Sequence, residues 1–136
     1  MDLMKAMQIS GSGIKAQSAR MKVITENIAN ADSIIGENGA EPYRRQMVFL
    51  GAVEDTKSGT AQVQLTQIRQ DFTNAFKREF DPEHPLADEN GFIRKPNINT
   101  IQESADLREA ARSYEANLSA IETSKRMMQR TMDILR

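Results

Sequence analysis

His84 is the only histidine of the chain, and it lies in an acidic stretch with Asp81, Glu83, Asp88 and Glu89. An imidazole beside carboxylates is a common general acid–base arrangement. The sequence has no cysteine, no recognisable nucleophile motif and no glycine-rich phosphate-binding loop. A small hydrolase that uses His84 is therefore an alternative, which predicts a pocket around this residue and loss of turnover in His84→Ala. A turn-forming loop that presents polar groups to another protein explains the same composition better.

The same stretch partly matches an EF-hand calcium loop. Asp88, Asn90 and Gly91 fall at the third, fifth and sixth positions of that template. Leu86 and Asn97 then occupy the first and last positions, where carboxylates are required. We therefore expect no metal site and no cofactor.

Two consecutive arginines, Arg44 and Arg45, follow Pro42 and Tyr43. They could bind a phosphate, but an ion pair with another subunit is the better explanation, because no other part of a phosphate site accompanies them. We predict that this segment and the acidic loop make polar contacts with neighbouring subunits. The residues of this predicted polar contact loop are Tyr43, Arg44, Arg45, Asp81, Pro82, His84, Pro85, Asp88, Asn90 and Gly91.

The composition narrows the class of protein. The chain has 136 residues, of which 39% are hydrophobic and 5% aromatic, so its core is expected to be thin. The net charge is -1, with no concentrated basic face, which argues against nucleic-acid binding. No apolar run is long enough for a signal peptide core or a membrane span. We expect no direct membrane insertion, and any export to proceed without a cleaved signal peptide.

Apolar residues recur every seven positions at both ends of the chain, which predicts two amphipathic helices with apolar seams. Ser10, Gln17 and Lys125 are polar exceptions. We call these residues the heptad stripe and predict that they form the subunit interface: Met7, Ile14, Met21, Ile24, Ile28, Leu107, Tyr114, Leu118, Ile121, Met128, Met132 and Leu135. An alternative of similar weight is that the two helices only pack on each other within one subunit.

The predicted fold is mainly α, with long N- and C-terminal helices packed as a coiled coil around a small β-rich middle. The predicted segments are an N-terminal axial helix at 1–33, a strand and loop region at 34–102, and a C-terminal axial helix at 103–136. Because glycine costs about 1 kcal/mol in a helix, Gly11 and Gly13 predict a stable first helix from about Ser12 to Ala31, with a frayed or kinked turn or two before it. Thr100 and Glu103 predict a capping box that starts the last helix.

Between the helices, the sequence predicts short strands separated by loops. Val48 to Leu50 and the alternating stretch from Ala61 to Leu65 are typical of strands. The spacing of Phe72, Phe76 and Phe80 fits either a helix or a strand. Gly36 and Gly39 predict a loop, and 81–99 is expected to be mostly ordered loop because it holds three of the four prolines.

Several segments resemble the flagellar rod and hook protein family. The segments are SGIKAQ at 12–17, NIANADS at 27–33, PYRRQMVF at 42–49, FDPEHPLADENGFIRKPNIN at 80–99 and ARSYEANLSAIETSKRMMQRTMDIL at 111–135. They cover about half of the chain in the family's order, and the 80–99 loop resembles the loop of the proximal rod proteins. Ser33 and Phe92 stand where threonine and tyrosine are usual in that family.

The resemblance implies a structural subunit of the bacterial flagellar basal-body rod, and not an enzyme. It implies export by the flagellar type III apparatus and assembly with other rod proteins and the rod's basal adaptor into an open-ended helix that crosses the periplasm. A soluble coiled-coil adaptor is the alternative, which explains the heptads but not the 80–99 loop. Such an adaptor predicts a discrete dimer or trimer in solution.

Overall fold

The computed structural model describes residues 2–34, 41–56 and 59–135. In chain order, the elements are α1 (Leu3–Ala29), β1 (Gln46–Asp55), β2 (Thr60–Gln70), β3 (Lys77–Phe80), β4 (Phe92–Lys95) and α2 (Thr100–Ile134). Two long helices thus flank a middle region with two separate two-stranded antiparallel sheets. This arrangement agrees with the predicted helix, strand and helix order. The predicted loop at Gly36 and Gly39 lies outside the described residues.

Helix α1 begins at Leu3, so the predicted start at Ser12 was wrong. The carboxylate of Asp2 caps the helix by accepting a backbone N–H two residues further on at 3.0 Å. The helix continues through Gly11 and Gly13 without a break. The intrinsic cost of about 1 kcal/mol for each glycine is overcome because α1 packs along α2, and tertiary packing supplies most helix stability in proteins.

The two helices lie side by side and antiparallel. Three residue pairs set their register: Asn27–Glu103, Arg20–Glu109 and Gly13–Asn117. A Cβ atom on Gly13 would lie 2.8 Å from Asn117 Nδ2, so glycine permits this close approach. On α1, the seam that faces α2 consists mainly of small or polar residues: Gly13, Ala16, Arg20, Val23 and Asn27.

Helix α2 is capped by Asn99, one residue before the predicted cap. The Asn99 side chain accepts hydrogen bonds from the backbone N–H groups of Ile101 and Gln102. The predicted capping box was therefore wrong, because Thr100 is already helical and the Glu103 carboxylate points into the interior. Glu103 is 1% exposed and has partners elsewhere in the chain.

Strands β1 and β2 form a hairpin that lies against α1. A bulge between Phe49 and Leu50 shifts the register, so that Leu50 pairs with Leu65. The backbone N–H of Val63 donates to the Ser12 hydroxyl at 3.1 Å, which fixes β2 to α1. Leu65 is 41% exposed, which agrees with the predicted half-exposed strand.

Strands β3 and β4 form a second hairpin, and of these two strands only β4 lies inside the 81–99 segment that was predicted to be mostly ordered loop. Phe80 and Phe92 pair across it with an edge-to-face contact at 5.2 Å between ring centroids. The rest of that segment, 81–91 and 96–99, is loop, so the prediction of a mostly loop segment is confirmed. Gly91 has a φ of 77°, a left-handed conformation that favours glycine, and a Cβ there would lie 3.0 Å from Pro82.

The hydrophobic core is thin, as the composition predicts. The buried hydrophobic residues are Ala16, Val23, Ile24, Ala31, Ile93, Ile98 and Ala110. Among the largest fully buried side chains, two are polar, namely Glu103 and Asn27. Polar contacts therefore hold much of the described interior in place.

Candidate functional site

Asn27 is the centre of a buried polar junction that connects α1, β1 and α2. Its Oδ1 atom accepts from the Gln46 backbone N–H at 2.9 Å and from the Tyr43 hydroxyl at 3.0 Å. Its Nδ2 group donates to the Gln46 carbonyl at 2.9 Å and to Glu103 Oε2 at 3.1 Å. The side chain is 1% exposed, so all four of its hydrogen-bonding positions are used away from water.

Glu103 supplies the negative charge of this junction. Its second carboxylate oxygen accepts a charge-assisted hydrogen bond from Arg45 Nε. A second carboxylate, Asp106, lies 4.0 Å from the Arg45 guanidinium. The pair places the 41–46 segment on the first turn of α2. Arg45 was predicted to contact another subunit, and the structure gives it these partners within its own chain.

The Tyr43 hydroxyl completes the junction. Burial raises the pKa of Tyr43, and the nearby carboxylates of Glu26 and Glu103 raise it further. The phenol therefore keeps its proton at neutral pH and remains the donor to Asn27. We call Asn27, Tyr43, Arg45 and Glu103 the polar junction.

Arg44 points away from the polar junction and stacks between two aromatic rings. Its guanidinium carbon lies 4.8 Å from the Phe72 ring centre and 4.3 Å from that of Phe76. It also pairs with Glu41 at 3.2 Å. These contacts fix the irregular segment after β2 and give Arg44 a structural role within the subunit.

The 81–91 loop is organised by Asp88. The Asp88 carboxylate accepts from the backbone N–H groups of Asn90 and Phe92, each at 2.9 Å, and pairs with Arg78 at 3.4 Å. The hydrogen bond from Phe92 is the largest of the effects that lower the pKa of Asp88. The loop is therefore a pre-shaped polar surface rather than a flexible tether.

His84 has a local role in the same loop. Its Nδ1 atom accepts the backbone N–H of Leu86 at 3.1 Å, and its own backbone N–H donates to the Asp81 carbonyl at 3.2 Å. Within 2–34, 41–56 and 59–135, no three His, Asp or Glu side chains cluster closely enough to hold a metal ion. Neither helix, over its described residues, is long and apolar enough to cross a membrane.

The residues of the heptad stripe differ in how far their own subunit buries them. Ile24, at 6% exposure, belongs to the subunit's own core. Leu118, Met132 and Leu135 are exposed by 41%, 58% and 82%. The remaining stripe residues are half-buried, namely Met7, Ile14, Met21, Ile28, Leu107, Tyr114, Ile121 and Met128. Most of the predicted interface thus keeps apolar surface that its own subunit does not cover.

Sequence reasoning missed Asn27 and Glu103 as the key polar residues. Asn27 was noted only within a family motif, and Glu103 was assigned to a helix cap. A signal was present, because Asn27 continues the seven-residue spacing of Gly13 and Arg20 along one face of α1. A polar residue at that position suggests a buried partner, although the sequence does not name it.

Two family models match the chain. The model described as "Flagella basal body rod protein" matches residues 7–33, and that described as "Flagellar basal body rod FlgEFG protein C-terminal" matches residues 89–134. The first covers most of α1, and the second covers β4, α2 and the end of the 81–91 loop.

Curated relatives match nearly the whole chain. The flagellar basal-body rod protein FlgC of Agrobacterium fabrum is 42% identical over 98% of this chain and 96% of its own length. FlgC of Aquifex aeolicus is 38% identical over 98% of this chain and 97% of its own. FlgC of Salmonella typhimurium is 34% identical, with 98% of each chain covered.

Proposed function

The chain belongs to the FlgC family of flagellar basal-body rod proteins, and on this basis we propose how it assembles into the rod. Members of this family are structural rod subunits, so the chain is a structural subunit and not an enzyme. The proposal concerns the surfaces that join it to its neighbours.

We propose that the heptad stripe is the main contact surface with neighbouring rod subunits. The observation that carries this proposal is the apolar surface that the subunit leaves open on its own helices. On α2, Leu118, Met132 and Leu135 are exposed. On α1, Ile14, Met21 and Ile28 each follow a residue of the small and polar seam by one position and stay half-buried. Water-exposed leucine and methionine at regular spacing favour further helix packing, which in the rod would take the form of a coiled coil.

The three segments predicted from the sequence take distinct roles in this proposal. The 1–33 and 103–136 segments supply the axial helices, and 34–102 supplies the hairpins and polar loop on the outside of the helix pair. The described loop residues Asp81, Pro82, Pro85, Asn90 and Gly91 present a shaped polar surface that supports contact with other axial proteins. Tyr43 and Arg45 hold the 41–46 segment to the two helices through the polar junction.

Export and location follow from family membership as further parts of the proposal. The chain would leave the cytoplasm through the flagellar type III apparatus without a cleaved signal peptide and join the rod between the basal adaptor and other rod proteins. A thin core supports this route, because a marginally stable subunit is easily kept unfolded for passage. A soluble adaptor has no observation in its favour.

The test uses Leu118→Asp and Ile121→Asp, with Glu122→Ala as the matched control. An unpaired carboxylate in an apolar contact costs several kcal/mol, whereas an exposed charge contributes about 0–1 kcal/mol. In a strain that lacks the gene, we expect the aspartate variants to abolish motility and secretion of hook protein, and Glu122→Ala to preserve both. Normal motility of both aspartate variants would overturn the proposal. Soluble aspartate variants that fold like the parent but never enter isolated basal bodies would support it.

A further inference from the structure

No close contact within the subunit explains why residue 11 is a glycine. A Cβ atom at Gly11 would meet nothing within 4 Å, whereas one at Gly13 would contact Asn117. A glycine inside a helix costs stability relative to alanine. The absence of a side chain at Gly11 therefore suggests that a chain from outside the subunit approaches the helix here. A second feature is needed to show where such a chain would lie.

That feature is a groove of about 600 Å³ between α1 and β2. It is lined by Gln8, Gly11, Ser12, Lys15, Ala16 and the β2 residues from Gln62 to Leu65. The hydrogen bond between the Val63 N–H and the Ser12 hydroxyl holds the two walls together. The groove is thus preformed, with an apolar rim at Leu65 that is 41% exposed.

The end of α2 extends beyond the start of α1. Gly13 lies level with Asn117, and the helices are antiparallel, so the start of α1 at Leu3 lies level with Met127. The last seven helical residues, 128–134, therefore extend beyond α1 by about 10 Å. The overhang carries two exposed apolar side chains, Met132 at 58% and Ile134 at 84% exposure, among polar residues.

One charge pair is available between the groove and the overhang, which also carries Arg130. Lys15 is exposed on the groove wall, and Asp133 lies between Met132 and Ile134 in the overhang. Neither charge has an ion-pair partner among the residues that the structure describes. A straight α2 cannot bend back into its own groove, since it is already packed on the Gly13 face of α1.

We propose that the groove between α1 and β2 receives the overhanging end of α2 from a second copy of this chain, with Asp133 beside Lys15. The groove and the overhang are different surfaces, so the contact is heterologous and repeats from copy to copy without needing to close. This inference rests on the proposed assembly into a rod and names one of its contacts.

The first test is Gly11→Leu, with Lys22→Leu as a control. Lys22 is an exposed residue on the same side of α1, about 16 Å further along the helix. A Cβ atom at position 11 meets nothing in its own subunit, and a leucine side chain would extend from it into the groove, so we expect thermal unfolding at or near the parent temperature but loss of motility. Lys22→Leu should retain motility. Gly11→Leu that enters isolated basal bodies at the parent level would overturn the groove contact.

The second test does not depend on how Gly11→Leu folds. The chain has no cysteine, so single cysteines introduced by Gly11→Cys and Ile134→Cys on two tagged copies can join only with each other or with themselves. In oxidised basal bodies we expect a dimer from this pair and none from Lys22→Cys with Ile134→Cys, since a disulfide needs Cα atoms within about 7 Å. Three results would overturn the inference. They are equal amounts of disulfide dimer from both pairs, no dimer from the first pair, and efficient dimer formation by Gly11→Cys alone. Absence of the cysteine-free parent from basal bodies would instead refute the proposed function.

Discussion

Replacement of Asn27 by alanine should be the most destabilising single truncation in the polar junction. It removes four hydrogen bonds at a side chain that is 1% exposed. Four groups lose their partner together: the Gln46 N–H, the Gln46 carbonyl, the Tyr43 hydroxyl and one Glu103 oxygen. A buried polar group that loses its partner costs about 1–3 kcal/mol, and partial rehydration of the larger space reduces the sum, so we expect a loss of about 3–5 kcal/mol.

Urea unfolding of the purified chain, followed by circular dichroism, measures this loss. With a slope of about 2 kcal/mol per M, the midpoint should fall by about 2 M. Asn30→Ala is the control, because the Asn30 side chain makes a single hydrogen bond, to Glu26 of its own helix, at 2.8 Å. It should cost about 1 kcal/mol. If Asn27→Ala and Asn30→Ala lower the midpoint equally at the same slope, the polar junction does not hold the three elements together.

Three further outcomes are expected. Gly11→Ala should raise the unfolding free energy by about 0.5–1 kcal/mol, because alanine is the better helix former and a Cβ there meets nothing. Gly13→Ala should give no such increase, because its Cβ forces Asn117 to move. Equal stabilisation by the two variants in urea unfolding would contradict the Gly13 contact. The lowered pKa of Asp88 means that its contribution to loop order is present above its unfolded pKa of about 3.9 and is lost as the pH falls through the lower folded value. Proteolysis of the 81–91 loop should therefore increase only in strong acid, and Asp88→Asn should flatten that dependence; an unchanged profile would refute the assignment. His84→Ala removes one hydrogen bond in an exposed loop and should leave motility unchanged, so a non-motile variant would show that His84 has another role.

The seven-residue periodicity was sufficient to locate both helices, because a long apolar repeat is a strong local signal. The helix ends were less predictable. At Leu3, the capping carboxylate of Asp2 and packing on α2 outweigh the glycine cost. At Thr100, two residues could act as the cap, and Glu103 is drawn away by Arg45 and Asn27. Local rules rank caps by sequence alone and do not include such distant partners.

The polar junction could not be predicted, since its members are far apart in the sequence. Glu103 lies 76 residues after Asn27 and 58 after Arg45. The sequence marked Tyr43, Arg44 and Arg45 as a polar segment, but not whether its partners lie within the chain. The β3–β4 hairpin was also not predicted. The prolines and Gly91 indicate a loop, and they flank two strands that are too short to stand out in the sequence.

The offset between the seam and the heptad stripe explains how one helix pair can serve both a subunit and a rod. Met7, Ile14, Met21 and Ile28 recur at the same spacing as the seam residues but follow the seam position by one residue, which rotates them by about 100° around α1. Small residues in the seam bring the helices close and bury little apolar surface, so the isolated subunit is only modestly stable. In the proposed assembly, the half-buried side chains of the stripe gain further burial when a neighbouring subunit packs on them. The proposal therefore predicts that substitutions in the seam mainly lower the unfolding free energy, and that substitutions at exposed stripe residues mainly weaken contacts with neighbouring subunits.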